Sequence, residues 1–495
     1  MTGWPRFSSL LAWGLLCGGP SLALAQPAPV PMSLADCVRI ALENNKTIQA
    51  AYLDRVVQKF DLRVAQDKFT PKMILSSGVE RDIGRSNSGG TVATSGASAA
   101  DVSASINQAV PTGARINLTT GQTASKADGQ GRVTDHGWTL SLTQPLLKGG
   151  GLEVGRASVT AAQINEQVNI MTLKSVVTDT LASVITAYRT YLRSVKALVI
   201  ARESVARARQ LLQTNRELIA AGRMAEIDLV QSEADLANQE FNLLATENST
   251  DAARLALVRL LDIDINTPVQ PEDKFELQAQ AYPLEEAKAL ALMNRPDYQS
   301  LRLGVETSRL RLMLAQNNRL PDLSFNAGYS RSNQSGSGVA SGATAGSAAT
   351  ATPAGDARAL SLGLRLSIPF GDLSFEQAEV SARIDLEKTE LSLAKQRELI
   401  DIDVQNASRN VDMSLRQVRL AQRANELAQK KFAVESEKLK VGRSSNFQLV
   451  SFQNDLVNAQ YNELGATINY LEAVTAMERA MGILLDRWGV SLARR

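Results

Sequence analysis

Few side chains in this sequence are of the types that carry out metal or nucleophilic chemistry. The 495 residues include one histidine, His136, and two cysteines, Cys17 and Cys37. A zinc site needs several His or Cys ligands close together, and a catalytic triad needs a histidine beside a nucleophile and an acid. Because the sole imidazole lies far downstream of both thiols, the sequence predicts no enzyme, no metal site and no cofactor.

The charge balance excludes a further class of protein. Lys and Arg number 53 and Asp and Glu 51, so the formal net charge is +2. Nucleic-acid binding depends on a clustered surplus of positive charge, and we therefore expect no nucleic-acid partner. Hydrophobic residues make up 44% of the chain but aromatic residues only 5%, which favours long, thinly packed helices over a thick globular core.

The start of the chain has the pattern of a secretory signal peptide. Arg6 precedes an apolar stretch and the small-residue cleavage pattern Ala-Leu-Ala, so residues 1–25 are predicted to be removed during export. A lipid anchor on Cys17 is the competing interpretation, but the residue before it is larger than lipoprotein processing prefers. Cys37 then remains as the only mature thiol, and its spacing from apolar neighbours predicts that it is packed in a helix.

The exported part of the sequence contains two copies of one unit. At an offset of 250 residues, Pro71 aligns with Pro321 and Gly78 with Gly328. At an offset of 220 residues, the pair Gly222-Arg223 aligns with Gly442-Arg443. The two offsets differ by 30 residues, so the first copy is longer. The predicted units are a first repeat at 26–282, a second repeat at 283–486 and a C-terminal tail at 487–495.

Each repeat is predicted to contain a short helix, a medium helix, a group of strands and a long helical hairpin. Prolines end the medium helices and glycines end the first helix of each hairpin. That first helix has about 70 residues, which gives a length of about 105 Å at 1.5 Å per residue. The strands are expected at about 72–146 and 322–370, and the hairpins at 151–263 and 372–485. The low-complexity stretches 86–100 and 332–355 are expected to be surface loops.

The strand nearest the second hairpin has the clearest two-residue period. Leu360, Leu362, Leu364 and Leu366 alternate with residues that include Arg365 and Ser367. One face of this strand is therefore apolar and the other polar. An arginine facing lipid costs about 2–4 kcal/mol near the membrane midplane. The leucines are therefore predicted to face lipid, and Arg365 and Ser367 to face a lumen.

Two-sided strands in an exported chain predict a membrane-spanning barrel. Such a barrel must be closed, because lipid offers no hydrogen-bond partner to an edge strand. The second repeat supplies two strands. The first repeat supplies two, or four if residues 102–106 and 114–120 form a further hairpin around Pro111-Thr112-Gly113. Because a single-chain barrel needs at least about eight strands, several chains must contribute to one barrel.

The order of elements, the duplication and four short motifs resemble the TolC family of outer-membrane efflux and secretion channels. The motifs are Leu-Ser-Leu-Thr-Gln-Pro-Leu at 140–146, Leu-Ser-Ile-Pro-Phe at 366–370, Ala-Gly-Arg at 221–223 and Val-Gly-Arg at 441–443. The resemblance covers residues 33–486, which is almost all of the predicted mature chain.

This resemblance implies an α+β membrane protein of the outer membrane that extends into the periplasm. A homotrimer would form a transmembrane β-barrel of twelve strands and a periplasmic α-helical barrel of antiparallel coiled-coil hairpins. The further hairpin of the first repeat would raise the number of strands to eighteen. The implied function is a passive channel in a tripartite efflux or type I secretion system. Its implied partners are a periplasmic adaptor, an inner-membrane pump of RND or ABC type, and outer-membrane lipid.

The resemblance also assigns the tips of the two hairpins to adaptor docking. Gly222, Arg223, Gly442 and Arg443 would lie at the docking surface. The simpler interpretation is that both glycines are helix C-caps, each followed by an arginine that is favourable near a helix end.

The periplasmic entrance is implied to lie six residues beyond each tip glycine. Asp228 matches the acidic position of the family in the first repeat, whereas Gln448 occupies it in the second repeat and Ser451 occupies the next acidic position. Three carboxylates around a trimer axis would attract cations. Because Gln448 and Ser451 are neutral, a cation-blocked entrance does not follow from this sequence.

Two other functions compete with a channel. An exported periplasmic coiled-coil scaffold or adaptor would share the long hairpins, but it would not need duplicated amphipathic strands. An exported hydrolase would need a clustered nucleophile, base or pair of carboxylates, and no such constellation is evident in the sequence.

Overall fold

The computed structural model describes residues 30–88, 91–127, 131–273, 282–336 and 356–490, so the predicted signal peptide lies outside the described residues. The first repeat contains, in chain order, β1 (Val30–Met32), α1 (Leu34–Asn44), α2 (Lys46–Gln66), β2 (Lys72–Ser88), β3 (Thr91–Ala109), β4 (Arg115–Ala127), β5 (Val133–Pro145), α3 (Leu152–Ala220) and α4 (Ile227–Leu261). After β6 (Val269–Pro271), the second repeat contains α5 (Leu284–Asn294), α6 (Pro296–Asn318), β7 (Asp322–Gly336), β8 (Asp356–Ser367), α7 (Ser374–Lys440), α8 (Asn446–Ala480) and α9 (Leu484–Arg487).

The breaks between the short and medium helices lie where the sequence predicts them. Asn45 ends α1 and caps α2, because its side-chain Oδ1 accepts a hydrogen bond of 2.9 Å from the backbone N–H of Thr47. In the second repeat, Pro296 is the first residue of α6, a position where its missing N–H costs no helix hydrogen bond. The two repeats therefore use different local chemistry to make the same break.

The long helices form two antiparallel hairpins, α3 with α4 and α7 with α8. Each hairpin has its own apolar core, which includes Tyr188 and Leu257 in the first repeat and Ile400 and Tyr470 in the second. Cys37 is fully buried in the first core, and burial raises the pKa of its thiol to about 12. The thiol is therefore packed, as predicted, and unreactive at neutral pH.

Among the described residues, α3 is the one helix that is long and apolar enough to cross a membrane by length and composition. Its apolar side chains have partners within the protein. Leu173, Val177 and Leu181 are buried in a cluster that also contains Ile48 of α2 and Leu484 of α9. This packing accounts for part of the apolar character of α3.

A small parallel sheet joins the segment before α1 to the segment between the repeats. β1 pairs with β6, and two buried tyrosines of α3 hold this pair against the first hairpin. The hydroxyl of Tyr188 donates to the carbonyl oxygen of Met32 at 3.0 Å, and that of Tyr191 donates to the carbonyl oxygen of Val269 at 2.6 Å. These bonds satisfy polar groups that are buried in an apolar core.

Next to the sheet, four helices of each chain lie side by side in the order α2, α3, α6, α7. Ion pairs connect neighbours in this row. The Arg55 guanidinium of α2 donates to the Glu166 carboxylate of α3, and both side chains are largely buried. At the start of α6, Arg295 bonds Asp297 at 2.7 Å and Asp403 of α7 at 3.1 Å. The row therefore has two ends, one formed by α2 and the other by α7.

In the described residues, six strands form one antiparallel sheet in the order β2-β3-β4-β5-β7-β8. The further hairpin of the first repeat is thus present as β3 and β4, and the first repeat contributes four strands. The pairing of β5 with β7 joins the strands of the two repeats into one sheet.

The two faces of this sheet differ in chemistry. One row of paired residues crosses all six strands on the apolar face: Met73, Ile106, Leu118, Leu140, Tyr329 and Leu360. The opposite face carries hydroxyl and amide groups that bond between strands, such as Ser76 with Ser103 at 2.8 Å and Thr143 with Asn326 at 3.0 Å. The alternation predicted for single strands therefore continues across all six strands at the level of this row.

The prediction of a surface loop at residues 86–100 is wrong. β2 and β3 pair continuously from Lys72 opposite Asn107 to Ser88 opposite Thr91, so most of this stretch is strand. Ser, Thr, Gly and Ala add little apolar burial, but the ladder is held by backbone hydrogen bonds that do not depend on side-chain type. Of the second predicted loop, 332–336 belongs to β7 and 337–355 lies outside the described residues.

The buried tyrosine bonds generate a test of the joint between the repeats. Tyr191→Phe removes the donor to the carbonyl of Val269 and should lower the free energy of unfolding by about 1–2 kcal/mol, because a buried carbonyl loses its partner. The midpoint of thermal unfolding of the purified protein measures this change. Tyr52→Phe is the matched control, since the Tyr52 hydroxyl makes no hydrogen bond within the described ranges. Equal midpoints for the two variants would contradict a stabilising role of the Tyr191 bond.

Candidate functional site at the hairpin tips

The two hairpin tips have the same backbone structure. After α3, the N–H of Gly222 donates to the carbonyl of Ile219 at 2.8 Å and the N–H of Arg223 donates to that of Leu218 at 2.8 Å. The bonds made by Gly442 and Arg443 at the end of α7 are equivalent, at 2.9 and 2.8 Å. This pair of bonds is the Schellman arrangement, which satisfies the last carbonyls of a helix.

The glycines are required by conformation rather than by lack of space. Gly222 has φ of +70° and Gly442 of +75°, a left-handed backbone that other residues rarely adopt. A Cβ on Gly222 would meet nothing within 4 Å, whereas one on Gly442 would lie 3.8 Å from Nη2 of Arg223. Helix capping therefore accounts for both glycines, and the Arg223 side chain reaches the second tip.

A buried polar cluster lies just inside the tips and connects the two hairpins. Asn215 of α3 is fully buried, and its amide Nδ2 donates to Ser232 Oγ of α4 at 2.6 Å and to Asn446 Oδ1 of α8 at 2.8 Å. Asn446 Nδ2 in turn donates to the backbone carbonyl of Asp228 at 3.1 Å. One asparagine of each hairpin thus takes part in a network that spans three helices.

The predicted entrance residues have separate surroundings. Asp228 is half-buried, and its backbone carbonyl accepts hydrogen bonds from Asn446 and Ser232. Gln448 and Ser451 are exposed on α8, on the face away from the buried Leu449 and Val450. In the described residues, no hydrogen bond joins the three side chains to one another.

A second buried polar group lies farther along the first hairpin. Asp235 is 7% exposed and accepts a hydrogen bond of 3.2 Å from Gln239, which also donates to Asn454 of α8 and accepts from Ser204 of α3. Within the described residues, the second carboxyl oxygen of Asp235 has no hydrogen-bond partner. Burial raises the pKa of Asp235 above its ordinary value, because the charged form loses hydration. Its counterpart Asp455 is exposed and pairs with Lys431 at 2.9 Å.

Sequence reasoning missed the cluster around Asn215, although a signal was present. Asn215 follows Leu211 and Leu212 at the spacing of the apolar core positions of α3, where a polar residue is unusual. The position aligned with it at an offset of 220 is Glu435, which is also buried and accepts from Ser444 Oγ at 2.6 Å. A polar residue in the same core position of both repeats marks the tip region.

The structure arranges the predicted barrel residues of β8 as the alternation requires. Leu360, Leu362, Leu364 and Leu366 lie on one face of the sheet, and each is more than half exposed in the single chain. Arg365 and Ser367 lie on the opposite face, where they pair with Ser324 and Asp322 of β7.

A sheet with one apolar and one polar face, joined to hairpins whose first helix is about 100 Å long, defines a class of protein. It is a channel subunit that spans a membrane with strands and an adjacent aqueous compartment with helices. The sequence pattern of the outer membrane efflux protein family matches residues 37–262 and 289–483. The chain belongs to this family.

Solved structures with a similar fold include two outer-membrane channels and one outer-membrane protein. The CmeC channel of Campylobacter jejuni is 16% identical with a TM-score of 0.67, and the match covers 93% of this chain and 87% of CmeC. VceC of Vibrio cholerae is 14% identical with a TM-score of 0.65, covering 91% of this chain and 96% of VceC. The open state of the MtrE channel of Neisseria gonorrhoeae is 17% identical with a TM-score of 0.59, and the match covers 91% of this chain and 88% of MtrE. A comparison with curated proteins finds no significant match.

The protein is therefore an outer-membrane efflux channel subunit, with its strands in the outer membrane and its helices in the periplasm. This agrees with the function that the sequence predicts and fits better than the competing scaffold, because a scaffold would have no use for the two-faced sheet. The family is a family of channels, not of enzymes.

The buried Asp235 gives a test of pH dependence in the first hairpin. Its raised pKa favours the folded state at low pH, and this contribution is lost as the pH rises through the raised value. Asp235→Asn should therefore stabilise the protein at pH 7, by about 1 kcal/mol, and this advantage should be smaller at pH 4, because protonation removes the buried charge of Asp235. The midpoint of thermal unfolding of both proteins, recorded at the two pH values, measures this difference in stability. Asp455→Asn is the matched control, and an Asp235→Asn protein less stable than wild type at pH 7 would overturn the assignment.

Proposed function

We propose that this chain forms, as a homotrimer, the passive outer-membrane conduit of a tripartite efflux or type I secretion system. A periplasmic adaptor would dock on the hairpin tips, and an inner-membrane pump of RND or ABC type would supply the energy. The observation that carries the proposal is that each chain has two different edges, and that these edges match one another.

The sheet edges match in direction and in hydrogen bonding. Within the described residues, β2 pairs only with β3 and β8 only with β7, so each has one row of backbone groups without a ladder partner. β2 runs away from the helices and β8 runs toward them, because the sheet is antiparallel and has an even number of strands. β8 of one chain can therefore add to β2 of the next as an antiparallel pair, which a closed ring of chains requires.

The helix edges below the sheet match in the same order. On α2, at the β2 side, an apolar stripe is 55–69% exposed and consists of Leu53, Val56, Val57, Phe60 and Val64. On α7, at the β8 side, a second exposed stripe consists of Val380, Ile384, Leu391, Leu399 and Ile402. Exposed apolar stripes of this length indicate contacts with another chain. The contact between the two edges is heterologous, so repeated rotation about one axis can close several chains into a ring. The family resemblance implies three chains in that ring.

A polar interior suits a conduit that performs no chemistry. The lumen would be lined by the polar face of the sheet, including Arg365 and Ser367, while Leu360, Leu362, Leu364 and Leu366 would contact outer-membrane lipid. At the other end, Asp228, Gln448 and Ser451 would lie at the periplasmic entrance. With two neutral positions of three, we expect this entrance to attract cations weakly.

The lipid-facing assignment predicts the effect of charge in β8. Leu364→Lys should cost about 2–4 kcal/mol per chain if the residue faces hydrocarbon, so the yield of heat-modifiable trimer in the outer-membrane fraction should fall sharply. Ser361→Lys on the polar face is the matched control and should assemble normally. Equal trimer yields for the two variants would remove the proposed lipid face, and recovery of wild-type protein as a soluble periplasmic species would favour the scaffold function.

The docking assignment predicts the effect of charge at the tips. Arg223 and Arg443 are exposed, so the double variant Arg223→Glu, Arg443→Glu should leave the trimer intact. Pump-dependent efflux should fall about tenfold or more, because reversed charge at an interface opposes the partner. Crosslinking of the adaptor at the tips should fall in parallel. Arg302→Glu, an exposed position on α6 far from the tips, is the control. Unchanged efflux and crosslinking in the double variant would argue against docking at the tips.

A further inference from the structure

We infer that the β3–β4 hairpin is part of the membrane wall, so that three chains enclose an eighteen-stranded barrel rather than the twelve-stranded barrel that the family resemblance implies. The inference rests on the proposed trimeric channel and concerns the width of its outer pore. It is carried by strand register, by the chemistry of the hairpin faces and by the way in which the hairpin is anchored.

The register places the hairpin at the same height as the other strands. β4 pairs with β5 over Arg115–Ser125, which corresponds to Val133–Thr143 of β5 and Asn326–Gly336 of β7. On its other side, the same part of β4 pairs with Ala99–Ala109 of β3. Eleven residues suffice for a tilted strand to cross the hydrocarbon layer. The hairpin therefore spans whatever depth β5 and β7 span.

The sheet has no continuous alternative without the hairpin. In the described residues, β2 pairs only with β3, and β5 meets the first repeat only through β4. If the hairpin folded out of the wall, β2 and β5 would each lose a ladder of backbone hydrogen bonds. Each unpaired backbone group in lipid costs several kcal/mol, so the wall must contain all six strands of this sheet.

The faces of the hairpin have the chemistry of a membrane wall. Ile106 of β3 and Leu118 of β4 belong to the apolar row that continues into Leu140 of β5. The opposite face of the hairpin carries small polar residues, such as Ser105 and Thr119, which pair directly with one another. A hairpin surrounded by water would gain nothing from an apolar face in register with the lipid-facing rows of its neighbours.

The turn between β3 and β4 is anchored to the start of the first long helix. The N–H of Gly151 donates to the carbonyl of Thr112 at 3.1 Å, and the side chain of Gln144 bonds Thr112 as well. A Cβ on Gly155 of α3 would lie 2.0 Å from the carbonyl oxygen of Pro111, so only glycine allows this approach. The turn is thus packed against the base of the sheet.

The duplication indicates that β3 and β4 are an addition to a chain with four strands, two in each repeat. The first repeat is 30 residues longer than the second between the aligned pairs Pro71 with Pro321 and Gly222 with Gly442. β3, its turn and β4 occupy residues 91–127, which is 37 residues, a segment of about the size of this excess. Within the described residues, the second repeat has two strands where the first has four.

The added strands also match the width of the helical tube. Twelve helices, four from each chain, at an axial spacing of about 9.5 Å form a ring of about 18 Å radius. Eighteen strands spaced about 4.8 Å apart and tilted by about 40° form a barrel of about 18 Å radius, whereas twelve such strands give about 12 Å. The larger barrel therefore continues the tube at the same backbone radius, without narrowing at the membrane.

Single cysteines in β4 test this inference, with β8 as the reference strand. Leu118→Cys and Thr119→Cys sample the two faces of β4, and Leu362→Cys and Ser361→Cys sample the two faces of β8. Native Cys37 is buried with a raised pKa and stays unlabelled. Each trimer is labelled with bimane and reconstituted into phosphatidylcholine vesicles that contain a lipid with a nitroxide at mid-chain.

We expect the bimane at 118 to be quenched by the lipid nitroxide within about twofold of that at 362. Positions 119 and 361 should instead be quenched by a water-soluble nitroxide. Alternation in β8 with none in β4 would overturn the eighteen-stranded barrel but keep the proposed channel. Absence of alternation in β8 would overturn the proposed function and this inference together. A density map of the trimer provides a direct count, in which twelve wall strands would overturn the inference and eighteen would support it.

Discussion

The need to pair every backbone group in lipid determines most of this architecture. A strand in hydrocarbon must have neighbours on both sides, and one chain with the edges β2 and β8 leaves two such strands open. Joining these edges needs an even number of strands in each chain and further copies of that chain. Because the helices follow directly from the strands, the closure that we propose would place α2 of one chain beside α7 of the next. The sheet and the helical tube are therefore consequences of one constraint.

The helical hairpins face a different constraint, since in water their association depends on apolar packing, and each repeat has its own apolar core. Buried polar residues distinguish the two hairpins. Asn215 of the first hairpin bonds Asn446 of the second, whereas Glu435 at the position equivalent to Asn215 bonds Ser444 within its own turn. A polar residue in a helix core lowers stability but restricts which helix can lie beside it. Near the tips, this chemistry determines which helix contacts which.

Much of the fold could be predicted because its signals are local and periodic. The 3.6-residue and two-residue periods, the prolines that end α2 and α6 and the glycines that end α3 and α7 each act within a few residues. The stretch 91–100 was missed because Ser, Gly, Ala and Thr have no apolar alternation, and its strand forms only through pairing with β2. Of the candidate site, the tip turns were predictable from Gly-Arg pairs. The bond from Asn215 to Asn446 was not, because it joins residues 231 positions apart.

The sequence by itself determined the duplication, the length of the hairpins, the apolar face of β8 and the Gly-Arg turns, because each depends on residues close together in the chain. The tertiary structure decided that β3 and β4 stand between β2 and β5, that Asn215 and Asp235 are buried, and that β2 and β8 form the edges of the sheet. These features depend on contacts between distant segments. Composition restricts such contacts only weakly, since a run of small polar residues fits a loop and a paired strand equally well.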